Sequence, residues 1–210
     1  MTRPTLRVER ALLRSGAAIV IGIDEVGRGA IAGPVAVGAV AVTATSPPAP
    51  TGTRDSKLLS AAARRQLRPR IEQWTPSCAV GMASAIEIDR LGLTSAMKVA
   101  ALRAVIAMKP VIDTLAGSGA IVVLLDGSHD YLTDLEQGAH WSVRTRVSAD
   151  LTCSSVAAAS ILAKTQRDQL MQDLAVDYPD YGWDTNMGYP TASHRSMIAV
   201  RGSTPLHRYI

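Results

Sequence analysis

Apolar residues in this chain come in short β-branched bursts early and in longer helical stretches later, and the alternation lays out the elements. Residues 18–23 form a compact apolar run, the pattern of a central buried strand. The run stops on Asp24-Glu25, and Gly27-Arg28-Gly29 follows as a turn. Residues 34–42 read as a second strand, which leaves a hairpin between the two. Residues 43–54 carry three prolines and no apolar periodicity, so they form a loop. Ser60 is a predicted N-cap for a helix with Leu67 and Ile71 on one face, ended by Pro76. Residues 78–86 predict a third strand, 87–93 a short helix, and 94–108 a longer helix stopped before Pro110. Residues 120–125 predict another buried strand, ending on Asp126-Gly127, and 141–147 alternate like a fifth. Residues 154–174 are a strong helix, whose small face of Ala157, Ala158, Ala159 and Ala163 suits close packing. One more helix is expected near 192–200.

Strands first, then helices, then both interleaved predict an α/β protein with a mixed sheet covered on both faces. The expected division is a catalytic domain over 1–176 and a small helical C-terminal portion over 177–210 packed on it. At 210 residues the chain suits one globular domain. With 47% hydrophobic and 19% charged residues, global disorder is excluded. The run before Asp24 is too short to span a bilayer, so no membrane association is expected. Cys78 and Cys153 match no metal-ligand spacing, and a cytoplasmic monomer is the expectation.

The formal charge of +4 permits a polyanionic partner without requiring one. The acids change the picture more. Asp24 and Glu25 follow one apolar strand directly, Asp126 ends another, and Asp150 sits between a strand and a helix. Taken singly, Asp126-Gly127 is a turn and Asp150 a loop residue or a helix-start charge. Asp24-Glu25 has no such structural use. Acids at buried strand ends are costly unless neutralised, and hard carboxylate ligands suit Mg²⁺ or Mn²⁺. A metal-dependent nuclease acting on phosphodiesters is therefore the leading reading. No serine or cysteine triad and no phosphate-loop signature competes with it.

The residues also resemble a known family. Gly22-Ile23-Asp24-Glu25-Val26-Gly27-Arg28-Gly29, then Ala32-Gly33-Pro34-Val35, is similar to the opening motif of bacterial ribonuclease HII. Asp55-Ser56-Lys57-Leu58-Leu59-Ser60, Leu125-Asp126-Gly127, and Asp150 with the run from Ser155 to Lys164 resemble its following motifs in order. Asn186 with Gly188-Tyr189-Pro190-Thr191 and His194, then Pro205-Leu206-His207-Arg208, resembles its C-terminal portion.

The resemblance implies a ribonuclease H-like sheet flanked by helices. It implies an endonuclease that cuts RNA in RNA–DNA hybrids and nicks 5′ to ribonucleotides embedded in duplex DNA, as in ribonucleotide excision repair. The ends left would be 5′-phosphate and 3′-hydroxyl. Asp24, Glu25, Asp126 and Asp150 would be the catalytic, metal-binding acids. Gly27, Arg28 and Gly29 would read the ribose 2′-hydroxyl, Ser56 and Lys57 would meet backbone phosphate, and Tyr189 would stack on the neighbouring deoxyribose.

The sequence departs from the family's common pattern at Ser148 and Met187, where lysines are frequent, and at the final Tyr209-Ile210. No partner-binding tail follows Arg208, so a sliding-clamp contact through such a tail is not expected. The sister family, ribonuclease HIII, usually has Lys where Arg28 stands and a longer lead before the first acid. A duplex-binding protein that kept the fold without the chemistry is the remaining alternative, and the intact acids weigh against it.

Overall fold

The computed structural model describes residues 3–132 and 141–209. Five strands form one mixed sheet in the order β3-β2-β1-β4-β5. They are β1 (Ala17–Val26), β2 (Val35–Val42), β3 (Cys78–Ala83), β4 (Ala120–Asp126) and β5 (Trp141–Arg146). β1 pairs antiparallel with β2 and parallel with β4, so the run expected to be central is central. β2 pairs antiparallel with β3, and β4 parallel with β5.

Successive strand residues face opposite sides, so each face takes alternate apolar positions. One face, with Ile19, Ile21, Ile23, Val35 and Val37, packs on Met97, Ala100, Ala104 and Met108 of α4 (Leu93–Ala116). The other face is covered by α6 (Ser154–Asp177), which lies almost in van der Waals contact with the strands. A Cβ at Gly22 would overlap Ser155, and one at Gly38 would overlap the backbone of Ala159. The small face predicted for this helix is therefore what lets it seat so closely. Both faces are covered, and the predicted α/β architecture stands.

Local boundaries differ where tertiary contacts override propensity. Strand β3 stops at Ala83, because Ser84 caps α3 (Ala85–Leu91) in a reciprocal capping box with Glu87. Helix α4 does not stop before Pro110 but runs through it to Ala116. The proline removes one N–H bond, to the carbonyl of Ile106, and Ile106 is exposed so that water can satisfy that group. α2 (Ala61–Trp74) starts from the Ser60 cap as predicted.

Helix α1 (Arg7–Arg14) was not foreseen, since its apolar stripe of Leu6, Leu12 and Leu13 is broken by Glu9. Glu9 is fully buried and accepts both the backbone N–H and the hydroxyl of Ser155, each at 2.8 Å. It thereby caps α6 from a distance, where Cys153 offers no side-chain cap. Residues 178–209 hold a 3-10 turn (Pro179–Tyr181), the one-turn α7 (Trp183–Asn186) and α8 (Ala192–Arg201), and they pack on α6. No helix among the described residues is long and apolar enough to cross a membrane. Of the two final residues that depart from the family pattern, Ile210 lies outside the described residues.

Candidate functional site

Parallel pairing places the ends of β1 and β4 side by side: Ile23 is opposite Leu125, so Asp24 and Asp126 are the next residues on neighbouring strands. Asp126 Oδ1 then accepts the backbone N–H of Ala149 at 2.7 Å, which ties the strand end to α5 (Ala149–Thr152) and brings in Asp150. Glu25 follows Asp24 directly. Sequence-distant acids thus meet at one sheet end.

Their electrostatics show the crowding. Asp24 is 5% exposed, and burial holds its carboxyl well above the usual carboxylate range. A hydrogen bond from Ser160 partly offsets that, and Glu25, Asp126 and Asp150 push it further up. Burial raises Glu25, and Arg28, 3.7 Å away and 60% exposed, relieves it in part. Burial, then Asp126 and Asp55, raise Asp150. A second counter-charge close by is the exposed Lys57. Burial works against its ammonium, but Asp55, Asp24, Asp150 and Asp126 outweigh that and raise its pKa. Among the described residues, no three His, Cys, Asp or Glu side chains close into a cage for an ion. The arrangement is an open, over-negative cluster, and such a donor set fits a Mg²⁺-like ion that keeps waters and takes further oxygens from a substrate.

This crowding has a measurable consequence. Groups whose folded pKa is raised stabilise the fold below their ordinary values, 3.8 for Asp and 4.5 for Glu, and lose that contribution as pH rises through the raised values. Metal-free protein should therefore melt higher near pH 5 than at pH 7–8. Buried His207 pulls the other way below its ordinary 6.5, because its folded pKa is lowered by burial and by His194. Asp24→Asn isolates the acid effect: thermal scans of the variant should show a shallower fall with pH. Equal pH slopes in the two proteins would defeat this account.

The other expected residues lie around the acids. Asp55 caps a 3-10 turn (Ser56–Leu58) by accepting Lys57 N–H at 3.0 Å. Ser56 is buried with its Oγ 2.8 Å from Ser160 Oγ, so its hydroxyl faces inward. Gly27 has φ +89, and a Cβ there would overlap the Arg167 side chain. Arg28 and Gly29 are exposed. Tyr189 is half-buried, with Arg167 Cζ 5.5 Å and Lys164 Nζ 5.7 Å from its ring centre.

A hydrogen-bonded chain of rings holds Tyr189 from behind. Thr204 N–H donates to His207 Nδ1 at 2.9 Å, so the His207 proton sits on Nε2. That Nε2–H meets His194 Nε2 at 3.1 Å, and the same atom accepts the Trp183 indole N–H at 3.0 Å. The His194 proton is therefore on Nδ1, where it donates to the Tyr189 carbonyl at 2.9 Å. Both imidazoles are neutral in this arrangement. Lys164 pairs with Asp168 at 2.6 Å, as their spacing on a helix predicts, and Arg64 joins them at 3.1 Å.

Several contributors escaped sequence reasoning. Asp55 and Ser160 act on the acids, and Tyr131 is buried beside Glu25 and Asp24, with burial and then those carboxylates pushing its phenol up. Arg167 and Arg208 are buried at the turn after β1. Only the Asp55-Lys57 pairing left a visible signal, a lysine two residues after an acid. Ser148 and Met187, the positions that depart from the family pattern, both adopt left-handed backbone, with φ 56 and 51.

A family model described as Ribonuclease HII matches residues 21–210. A ribonuclease HII of Streptomyces avermitilis is 46% identical over 98% of this chain and 82% of its own length. One of Paracoccus denitrificans is 41% identical over 99% of this chain and 91% of its own. Among solved structures, the complex of PCNA with ribonuclease HII from Archaeoglobus fulgidus superposes with a TM-score of 0.67. It covers 91% of this chain and 94% of that one at 24% identity, which speaks for the fold alone.

Proposed function

This chain belongs to the ribonuclease HII family and is a ribonuclease H, and from that premise we propose that it nicks duplex DNA on the 5′ side of embedded ribonucleotides as well as cutting RNA in RNA–DNA hybrids. The observation that carries the proposal is the adjacency of an open, over-negative acid cluster and a glycine turn one residue beyond it, whose Arg28 and Gly29 are exposed. The cluster suits cleavage and the turn suits recognition of a sugar hydroxyl.

Asp24, Glu25, Asp126 and Asp150 would hold divalent cations, Mn²⁺ or Mg²⁺. When bound, such ions supply Lewis-acid activation of water and stabilise the departing 3′-oxygen. The protein supplies the rest. The Ala149 N–H fixes Asp126 in orientation, and Ser160 does the same for Asp24. Lys57 offers its ammonium to a backbone phosphate, while the inward Ser56 supports Asp24 through Ser160. Gly27-Arg28-Gly29 meets the 2′-hydroxyl, the one group that separates RNA from DNA at a given nucleotide. Tyr189 offers its open face to the next sugar. With both cysteines free thiols, a reducing cytoplasm suits the protein, and a monomer is sufficient for every contact described.

The test is direct. Purified protein with Mn²⁺ or Mg²⁺ should cut a duplex holding one ribonucleotide once, on its 5′ side, leaving 5′-phosphate and 3′-hydroxyl. The all-DNA duplex should survive. Failure on that substrate with both ions, alongside cleavage of a uniform hybrid, would restrict the activity to hybrids.

A further inference from the structure

We propose that Arg208 is a positioning residue for substrate selection: its guanidinium holds the Gly27-Arg28-Gly29 turn by the carbonyls and so leaves the Gly29 N–H for the ribose hydroxyl. This rests on the function proposed above.

Arg208 is 6% exposed, and its donors spread over the whole connection between β1 and β2. Nη1 donates to Gly27 O at 2.7 Å and approaches Arg28 O at 3.5 Å. Nε donates to Gly33 O at 2.9 Å, and the backbone N–H donates to Ile31 O at 2.9 Å. One residue therefore pins the start, middle and end of the turn. Arg167 works from the other side, donating to Ala32 O at 3.1 Å and Pro34 O at 2.8 Å. The carbonyls are committed to the interior. Gly29, by contrast, is exposed, and among the described residues its N–H meets no protein acceptor.

A packing role alone does not account for Arg208. Among the described residues neither it nor Arg167 forms an ion pair with a carboxylate, although Asp89 and Asp168 lie near enough to be felt. Burial and the neighbouring Arg167 charge depress the Arg208 guanidinium to about 10. Arg208 Nη2 is buried and, among the described residues, has no hydrogen-bond partner. An uncompensated buried cation is costly, and an apolar chain of the same length would fill the space more cheaply. What the guanidinium adds is its fork of donors, which spans Gly27 O and Gly33 O together. A lysine has one nitrogen and reaches one of them.

The experiment measures binding in an Asp126→Asn background with Mn²⁺, using a duplex with one ribonucleotide and a matched all-DNA duplex. The parent should prefer the ribonucleotide duplex. Arg208→Met should lose roughly tenfold of that preference, the worth of about one hydrogen bond to the hydroxyl, with DNA affinity little changed. Arg208→Lys should fall between. Should Arg208→Met not fold, the lysine variant decides, read also by amide NMR: Gly27 and Gly29 signals should shift while Ala149 stays. Preference retained in either folded variant, equal weakening of both duplexes, or unmoved glycine signals would each overturn the inference. If the parent and Arg208→Met both prefer the ribonucleotide, only this inference falls. If the parent has no preference, the function proposed above falls, and this with it.

Discussion

Asp126→Asn should reduce cleavage at least about a hundredfold, since even residues that only orient metal ligands cost 10–100-fold when removed. The substitution keeps what the fold needs. The amide oxygen of Asn still accepts the Ala149 N–H that Asp126 Oδ1 takes at 2.7 Å. It removes one negative charge beside Asp24, Glu25 and Asp150, whose carboxyls burial and neighbouring charges already push up. Duplex affinity should therefore hold or rise slightly, while turnover with Mn²⁺ or Mg²⁺ collapses. A nicking gel and an anisotropy titration on the same preparation separate the two. Residual cutting within about tenfold of wild type would remove Asp126 from the acids that hold metal, because the loss would fall at the bottom of the 10–100-fold range.

The largest effect on stability is expected at Trp183, far from the acids. It is fully buried, stacks on Tyr181 at 5.4 Å between centroids, and lies 5.3 Å from Tyr178. Trp183→Ala should cost about 3–5 kcal/mol. For a chain of this size that is a fall of roughly 10 °C in Tm or somewhat more. Trp183→Phe keeps most of the packing and removes the indole donor, leaving His207 Nε2–H as the partner of His194 Nε2, and should cost about 0.5–1.5 kcal/mol. Calorimetry on both variants checks the ranking. A phenylalanine variant as unstable as the alanine one would mean that the hydrogen bond to His194 outweighs the packing.

How much of this was readable beforehand depended on range. Periodicity is local, so the β1 run, the small-faced helix α6 and the Ser60 cap were visible in the residues themselves. So were Asp24, Glu25 and Asp126, because each ends or follows an apolar run, and Asp150, because it lies between a predicted strand and a predicted helix. Glu9 was not, since its partner Ser155 is 146 positions away and a charged residue inside a short apolar stripe reads as surface. Pro110 misled for a related reason: the usual penalty assumes a buried carbonyl, and Ile106 is exposed. Ser56 was legible as part of a motif but not in direction, because only the fold shows its hydroxyl meeting Ser160. The arginines at the turn were the least legible. Nothing in a sequence distinguishes a guanidinium bonded to carbonyls from one in solvent.

The wiring of that turn sets an order of assembly. The acids of β1 and β4 are brought together by strand pairing across about half the chain, whereas Gly27 is held by a residue 181 positions later. Closing so long a loop is entropically slow and comes after shorter-range pairing. During synthesis or refolding, the acid cluster is thus laid down before the turn proposed to meet the sugar is fastened. A chain clipped within its last few residues would keep its acids together and lose the Arg208 grip on the turn beside them.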